Sequence, residues 1–154
     1  LKKQLRKIPL TLRMAYSKSP FFSDYFPLVE SWFVDKDPNL MRRNMHFIEN
    51  IMNILDIKTK IVYSSDIATN SNSTKLLVEL IKKVGGNVYR CGDGARGYQD
   101  DNLFIKSGIA LEYNNFIHPV YPQIGKEKFV KGLSIIDALF NVGKDQISDW
   151  MHLK

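Results

Sequence analysis

The first third of the chain carries apolar residues at intervals of three and four positions, which is the period of an amphipathic α-helix. Prolines near the starts of these segments suit the first turn of a helix, where a missing N–H costs no hydrogen bond. We expect Ser19 and Asp37 to cap the second and third helices with their side-chain oxygens. Residues 1–57 are therefore predicted to form a helical region, with helices over 9–16, 19–33 and 38–55.

After residue 57, short runs of β-branched and aromatic residues alternate with helical segments. Gly85 and Gly86 follow one helical segment and Gly108 follows another, as glycines do at helix C-termini. Strands joined through helices need crossover connections, so this order predicts an α/β fold with a short, mainly parallel sheet and helices on both faces. We interpret residues 1–154 as one such domain. The predicted strands cover 60–64, 87–91 and 110–116, and the predicted helices cover 74–84, 98–107, 133–141 and 145–152.

The composition is that of a globular protein, with 44% hydrophobic residues in a chain of 154. Its apolar runs are too short to span a bilayer, and its basic start lacks the apolar core of a signal peptide. Cys91 is the single cysteine, which excludes an internal disulfide and is typical of a reducing cytoplasm. Since the chain begins with Leu1, we interpret it as a fragment or processed form of a longer protein.

Six of the 22 basic residues lie at the front of the chain, before the first acidic residue, Asp24, and the net charge is +6. A basic segment of this kind can bind RNA, an anionic membrane surface or a phosphorylated substrate. The alternative is a solvated helix face, which the small and local excess of charge favours. The residues concerned are Lys2, Lys3, Arg6, Lys7, Arg13 and Lys18.

Candidate chemistry lies in three loops that follow predicted strands, at residues 64–73, 92–97 and 118–125. Such loops converge beyond the carboxyl ends of parallel strands, where ligands bind. The first loop opens with Ser64, Ser65 and Asp66, whose oxygens can either bind a sugar or ribose hydroxyl or cap turns.

The second loop is rich in glycine, so its backbone N–H groups can turn toward an anion, and Arg96 can add a bidentate contact. The spacing matches neither the dinucleotide fingerprint nor the P-loop, and a tight strand–helix turn explains the glycines equally well. Cys91 precedes the loop, either as a nucleophile paired with His118 or, as we prefer, as a small buried side chain. The predicted anion contacts are Gly92, Asp93, Gly94, Arg96, Gly97 and Tyr98.

The third loop holds the hexapeptide HPVYPQ at residues 118–123, in which two prolines exclude a helix. His118 is the best candidate for proton transfer, because histidine is the side chain that titrates near neutral pH. Tyr121 and Gln123 can donate or accept hydrogen bonds. A histidine bonded to backbone in a stiff loop is the structural alternative.

The helix predicted over 133–141 places Ser134, Asp137 and Asn141 on one side of an otherwise apolar sequence. This side is either the solvated face of an amphipathic helix or part of a cleft. No metal site and no cofactor are predicted, since the three histidines are far apart in the sequence and form no close-spaced ligand pair.

Several of these motifs together resemble the WbqC-like protein family. The resemblance runs from Tyr16 to Gly143 and includes the motif around Pro20 at residues 15–22, the first two loops, Gly108, the hexapeptide, and the LSIID and FNxG motifs at residues 133–143. It implies a role in bacterial surface-polysaccharide biosynthesis, such as that of lipopolysaccharide O-antigen. The implied activity is transfer of an acyl or amino-acyl group, of the glycine type, to an amino sugar. The implied partners are a nucleotide-linked amino sugar and tRNA as amino-acid donor; the alternative is a non-catalytic module that binds an anion of either kind.

The resemblance also implies roles for residues. His118 would be the catalytic base, and Asp137 would face the cleft and orient either His118 or a substrate hydroxyl. Amides of the glycine loop would stabilise the oxyanion. Many relatives carry a serine in place of Cys91 and begin with a strand-rich segment that nothing before Leu10 matches, so we expect this chain to lack that segment. The implied substrate contacts are the residues named in the first two loops, together with Tyr121, Gln123, Ser134 and Asn141.

Overall fold

The computed structural model describes residues 7–34 and 37–152, so Lys2, Lys3 and Arg6 lie outside the described residues. The chain divides into two compact units, Leu1–Thr59 with His118–Lys154, and Lys60–Ile117. The single domain remains a prediction. Within the described ranges, no helix is long and apolar enough to cross a membrane. The elements are α1 (Lys7–Tyr16), α2 (Phe22–Ser31), α3 (Leu40–Ile54), α4 (Ser73–Lys83), β1 (Val88–Gly92), α5 (Asp101–Lys106), β2 (Ala110–Asn114) and α6 (Ile135–His152).

The first unit contains α1, α2, α3 and α6, and the three predicted N-terminal helices are confirmed. Two of their predicted caps are wrong. The α2 helix begins after Phe21, and the Ser19 hydroxyl instead faces Asn141 Oδ1 at 3.4 Å. The α3 helix is capped by Asn39, whose Oδ1 accepts from Arg42 N at 3.1 Å, while Asp37 accepts from the backbone N–H of Asn39. Both errors arise because several residues near a helix start can act as caps and local sequence does not rank them.

The core of the first unit forms where α6 packs against α2. Phe140 is fully buried among Phe26, Val29 and Trp32, and its ring centroid lies 5.3 Å from those of both Tyr16 and Phe22. Every residue from 137 to 141 is buried, so this turn of α6 is enclosed on all sides rather than half solvated. The buried set therefore includes the polar side chains of Asp137 and Asn141.

Gly143 interrupts α6 with φ 75° and ψ 174°, a conformation that is essentially restricted to glycine. Gly143 thus separates the two helices predicted on either side of it, which α6 spans with a kink between them. A Cβ atom on Gly143 would lie 2.9 Å from Cδ1 and Cε1 of Phe21. Phe21 N also donates to the carbonyl of Phe140 at 3.0 Å. The aromatic motif before α2 and the glycine of α6 are therefore in direct contact.

The second unit contains α4, β1, α5 and β2 and confirms the α/β fold. The two strands pair in parallel, with Val88 opposite Ala110 and Gly92 opposite Asn114. Its core consists of Val78, Phe104 and Ile109. The predicted stop after α4 is confirmed, since Gly85 has φ +75° and Gly86 N donates to the Ile81 carbonyl at 2.8 Å.

One predicted strand of the second unit is wrong, and one predicted helix has other bounds. Residues 60–64 do not form a strand, because β-branched residues favour an extended backbone but a strand also needs a paired neighbour. The segment instead ends in a 3₁₀ turn at Ser64–Asp66. The helix predicted over 98–107 is shorter, because Gly97 with φ +80° breaks the backbone and Asp100 caps α5 by accepting from Asn102 N at 3.1 Å.

Replacing Gly143 by alanine should lower the free energy of unfolding by about 3 kcal/mol, through both the positive φ and the overlap with Phe21. Gly132 is the matched control, since it has φ +79° and no atom within 4 Å of a built Cβ. Gly132→Ala should cost only about 1 kcal/mol. Urea unfolding of both variants measures the difference, and equal losses would contradict a role for the Phe21 contact.

Candidate functional site

The site in the first unit is organised around the carboxylate of Asp137. Asp137 lies in the first turn of α6, where the helix dipole favours an acid, and it is 3% exposed. This burial excludes the solvated helix face for Asp137, and its orientation toward a cleft stays a prediction. Its surroundings are those of a buried charge, which needs hydrogen-bond donors to replace water.

Four neutral side chains supply these donors. Oδ1 accepts from Tyr16 Oη at 2.9 Å and from Asn141 Nδ2 at 3.2 Å. Oδ2 accepts from Tyr121 Oη at 2.8 Å and from Gln123 Nε2 at 2.9 Å. Hydrogen bonds to an ionised acceptor are stronger than those between neutral groups, so the four donors together can hold the charge without a cation. Three of the four donors belong to residues predicted for the site.

Both amide side chains in this network are fixed from their other end as well. Gln123 Oε1 accepts from the Val130 N–H at 2.7 Å, and its Nε2 also donates to the Val130 carbonyl at 3.0 Å. Asn141 Oδ1 accepts from the Ile124 N–H at 2.9 Å, and its Nδ2 donates to the Asp137 carbonyl at 2.8 Å. These bonds tie the segment from the hexapeptide to Val130 onto α6 and leave each amide one orientation.

A pocket of about 340 Å³ opens over this network, beside the hexapeptide. Tyr121 lines it, with its ring centroid 5.1 Å from that of Phe129 and 5.3 Å from that of Trp150. Lys126 and Lys128 on the pocket wall are exposed and bring two positive charges, against one negative charge from Glu127. The pocket thus combines an aromatic wall with an excess of positive charge. Its lining residues are Val120, Tyr121, Pro122, Gln123, Lys126, Glu127, Lys128 and Phe129.

The tyrosines that contact Asp137 have strongly raised pKa values. Burial, followed by the hydrogen bond to Asp137 and its negative charge, raises the pKa of Tyr16 to about 12 and that of Tyr121 to about 12. Both phenols therefore remain protonated donors at neutral pH.

The remaining predicted residues of the first unit are more exposed. His118 is exposed at the start of the hexapeptide, and its pairing with Asp137 remains a prediction. Ser134 is exposed, and its hydroxyl accepts from the Ile136 N–H at 3.3 Å, so it acts locally at the start of α6. Tyr16 and the pocket lysines were not predicted to belong to the site. Tyr16 lies within a motif of the family resemblance, but its partner is 121 positions away, which no local pattern reveals.

In the second unit, the glycine loop forms a 3₁₀ turn at Asp93–Ala95 and does not lead directly into a helix. Arg96 is engaged within the loop, since its Nε donates to Asp93 Oδ1 at 3.2 Å and its guanidinium lies 3.8 Å from the centre of the Tyr113 ring. Tyr98 is 89% exposed. These contacts fit the tight-turn alternative, and the anion contacts of Gly92, Gly94 and Gly97 remain predictions.

Several other polar residues of the second unit also have partners in the fold. Gln99 Nε2 donates to Cys91 Sγ at 3.7 Å and to Tyr113 Oη at 3.2 Å, and Tyr113 donates to both oxygens of Asp101. Burial, and then the bond to Asp101, raises the pKa of Tyr113. In the first loop, the exposed Ser64, Ser65 and Asp66 form one turn, in which the Ser65 hydroxyl donates to Asp66 Oδ1 at 3.2 Å.

Comparison with known proteins extends the motif resemblance. A sequence model described as the WbqC-like protein family matches residues 2–149, beyond the motifs at both ends. The chain is similar to the "Uncharacterized protein Rv1507c" of Mycobacterium tuberculosis (strain ATCC 25618 / H37Rv), with 26% identity over 136 residues. This alignment covers 87% of the chain and 58% of that relative, so the chain spans less than two thirds of its length. No solved structure matches the chain significantly.

Replacing Asp137 by asparagine should lower the free energy of unfolding by about 2–4 kcal/mol. Whichever way the new amide turns, its NH₂ group faces the NH₂ of either Asn141 or Gln123, and neither of these can turn to accept. Asp145→Asn, at an exposed position of the same helix, is the control and should change stability by less than about 0.5 kcal/mol. Chemical denaturation measures both, and a loss below about 1 kcal/mol for Asp137→Asn would contradict the proposed importance of the four donors.

The raised pKa values of Tyr16 and Tyr121 predict a loss of stability at high pH. Unfolded tyrosine ionises near pH 10, whereas these two residues ionise at about 12 when folded. The contribution of the two tyrosines to the free energy of unfolding is therefore complete below about pH 10 and is lost as the pH rises through about 12. The difference in free energy of unfolding between wild type and Tyr121→Phe should narrow across this window and stay constant below it. A difference that does not change with pH would contradict the shift.

Proposed function

The chain belongs to the WbqC-like protein family, and we propose that it forms part of a transferase that moves an acyl or amino-acyl group to an amino sugar during surface-polysaccharide biosynthesis. The observation that supports this proposal is the pocket whose wall residues Tyr121 and Gln123 are held from below by Asp137. A pocket wall that is fixed in one geometry can position a substrate without reorganising during the reaction.

The reaction assigns distinct roles to the residues of the hexapeptide. The amine nitrogen of the sugar attacks the carbonyl carbon of the acyl donor, the bond from that carbon to the sulfur or oxygen of the leaving group breaks, and the amine loses a proton. His118 accepts this proton and passes it to the leaving group. Tyr121 and Gln123 shape the pocket, and Asp137 is a positioning residue because both its oxygens are occupied by donors of the protein.

The charge on the pocket wall indicates the kind of substrate. Lys126 and Lys128 suit the phosphates of a nucleotide-linked sugar or of an acyl donor. Ser64, Ser65, Asp66 and the glycine loop in the second unit remain proposed contacts for the sugar or for a phosphate. The same lysines also support the second candidate function, a non-catalytic module that binds an anionic partner such as tRNA.

The transferase is tested on the full-length protein, with nucleotide-linked amino sugars as acceptors and coenzyme A thioesters or aminoacyl-tRNA as donors. His118→Ala should lower kcat by about 10²–10⁴-fold with an unchanged melting temperature. His46→Ala is the matched control, because His46 is exposed on α3 and its Nε2 lies 3.3 Å from Nδ2 of Asn50 on the same helix, and it should leave kcat unchanged.

The two candidate functions give different results in this experiment. Replacing Lys126 and Lys128 together by alanine should raise KM for the phosphate-bearing substrate while kcat changes little. Turnover that survives His118→Ala would remove the catalytic assignment. Salt-sensitive tRNA binding without turnover of any donor would favour the binding module instead.

A further inference from the structure

Two buried N–H donors in the first unit lack an acceptor within the described part of the chain: Trp32 Nε1 and Arg43 Nε. Trp32 is 2% exposed and Arg43 is 6% exposed. Among residues 7–34 and 37–152, the salt bridges of other basic residues are present, but none involves Arg43. A buried donor without an acceptor is destabilising, and a buried charge without a partner more so.

The residues that carry these two donors are both neighbours of Phe47 on α3, Trp32 through its ring and Arg43 through helical spacing. Trp32 directly follows α2, and its ring centroid is 6.0 Å from that of Phe47 on α3. Arg43 precedes Phe47 by four residues, which places the two side chains on the same face of the helix, one turn apart. We refer to this region as the Trp32–Arg43 corner.

The start of α3 adds a further unfavourable term for Arg43. Its first turn holds no acidic residue, although the N-terminus of a helix carries partial positive charge. Arg42 in the same turn is compensated by Asp37, whose Oδ2 lies 3.7 Å from its Nη1, and Arg42 is largely exposed. Arg43 therefore combines burial, an unfavourable position in the helix dipole and a donor without an acceptor. A negatively charged acceptor would relieve all three.

We propose that the Trp32–Arg43 corner binds an oxyanion, either a phosphate or a carboxylate group. The guanidinium offers a planar set of donors that matches two oxygens of such a group, and the indole N–H adds a third donor of fixed direction. The partial positive charge of the α3 N-terminus attracts the same ligand. This site is separate from the hexapeptide pocket and does not depend on the proposed transferase activity.

The test uses the ¹⁵N-labelled chain, in which the two tryptophans give two indole N–H signals. Sodium phosphate and sodium acetate are titrated separately, each against sodium chloride at equal ionic strength. The Trp32 signal should move saturably with phosphate, with acetate or with both, and the stronger arm identifies the preferred oxyanion. The Trp150 signal reports the hexapeptide pocket, because Trp150 stacks on Tyr121. Binding at the two places is therefore distinguished in one experiment.

Variants decide whether Arg43 carries the response. Arg43→Gln should weaken the saturable movement of Trp32 by about tenfold or more, and Arg43→Lys, which keeps the charge but not the planar donors, should weaken it less. Arg42→Gln is the matched control, one position away, and should retain the response. Circular dichroism shows that each variant is folded before its titration is interpreted.

Three outcomes would overturn the proposal. The first is a Trp32 signal that does not respond to either anion, as expected if water alone satisfies the donors. The second is an equal loss of response in Arg42→Gln and Arg43→Gln, which would indicate non-specific charge. The third concerns Asp35, which lies outside the described residues. If Asp35→Asn shifts the Trp32 signal in anion-free buffer as far as phosphate shifts it in wild type, the acceptor belongs to the chain itself.

Discussion

The first unit depends on a buried carboxylate that four hydrogen bonds from neutral side chains stabilise. Asp137 has two tyrosine hydroxyls and two amide NH₂ groups as donors: Tyr16 lies at the end of α1, Tyr121 and Gln123 lie in the hexapeptide, and Asn141 lies on α6. Removing water from a carboxylate is costly, so each donor must be present for the charge to be tolerated. The carboxylate therefore fixes where α1, the hexapeptide segment and α6 meet.

The need of Asp137 for hydrogen-bond donors explains why residues from motifs far apart in the sequence meet at one place in the fold. Tyr16 ends α1, Gln123 closes the hexapeptide, and Asn141 follows Asp137 by one helical turn, yet all three serve one group. Gly143 then allows Phe21 to pack against α6, which sets the chain between α1 and α2 on the same helix. Residues of a motif that looks catalytic in the sequence can thus serve to hold a pocket wall in place. In this unit, the residues left as candidates for direct contact with a substrate are the exposed His118 and the side chains that line the pocket.

Local patterns in the sequence were sufficient for most helices and for the parallel strands, because apolar spacing and glycine stops act over a few residues. They failed at residues 60–64, where an extended backbone found no partner strand, and at the caps of α2 and α3, where neighbouring residues compete. The site shows the same division. Tyr121, Gln123, Asp137 and Asn141 could be selected as polar residues in unusual positions, but their mutual contacts could not. A polar residue in an apolar helix suggests a side chain that faces solvent or a cleft. The third possibility, a buried hydrogen-bond network, becomes visible only when the position of Tyr16 in three dimensions is known.

Two buried charged residues in the first unit differ in whether their hydrogen-bonding atoms have partners, and this difference distinguishes a structural residue from a candidate binding residue. The oxygens of Asp137 are fully used by the protein, so a ligand could reach them only by displacing a tyrosine or an amide. Arg43 is nearly as buried, but its Nε has no acceptor among the described residues, and the indole N–H of Trp32 nearby is in the same state. Natural proteins rarely leave such donors unpaired, because the lost hydration is not recovered. The satisfied charge thus organises the fold, whereas the unsatisfied one has bonding capacity left for a molecule from outside.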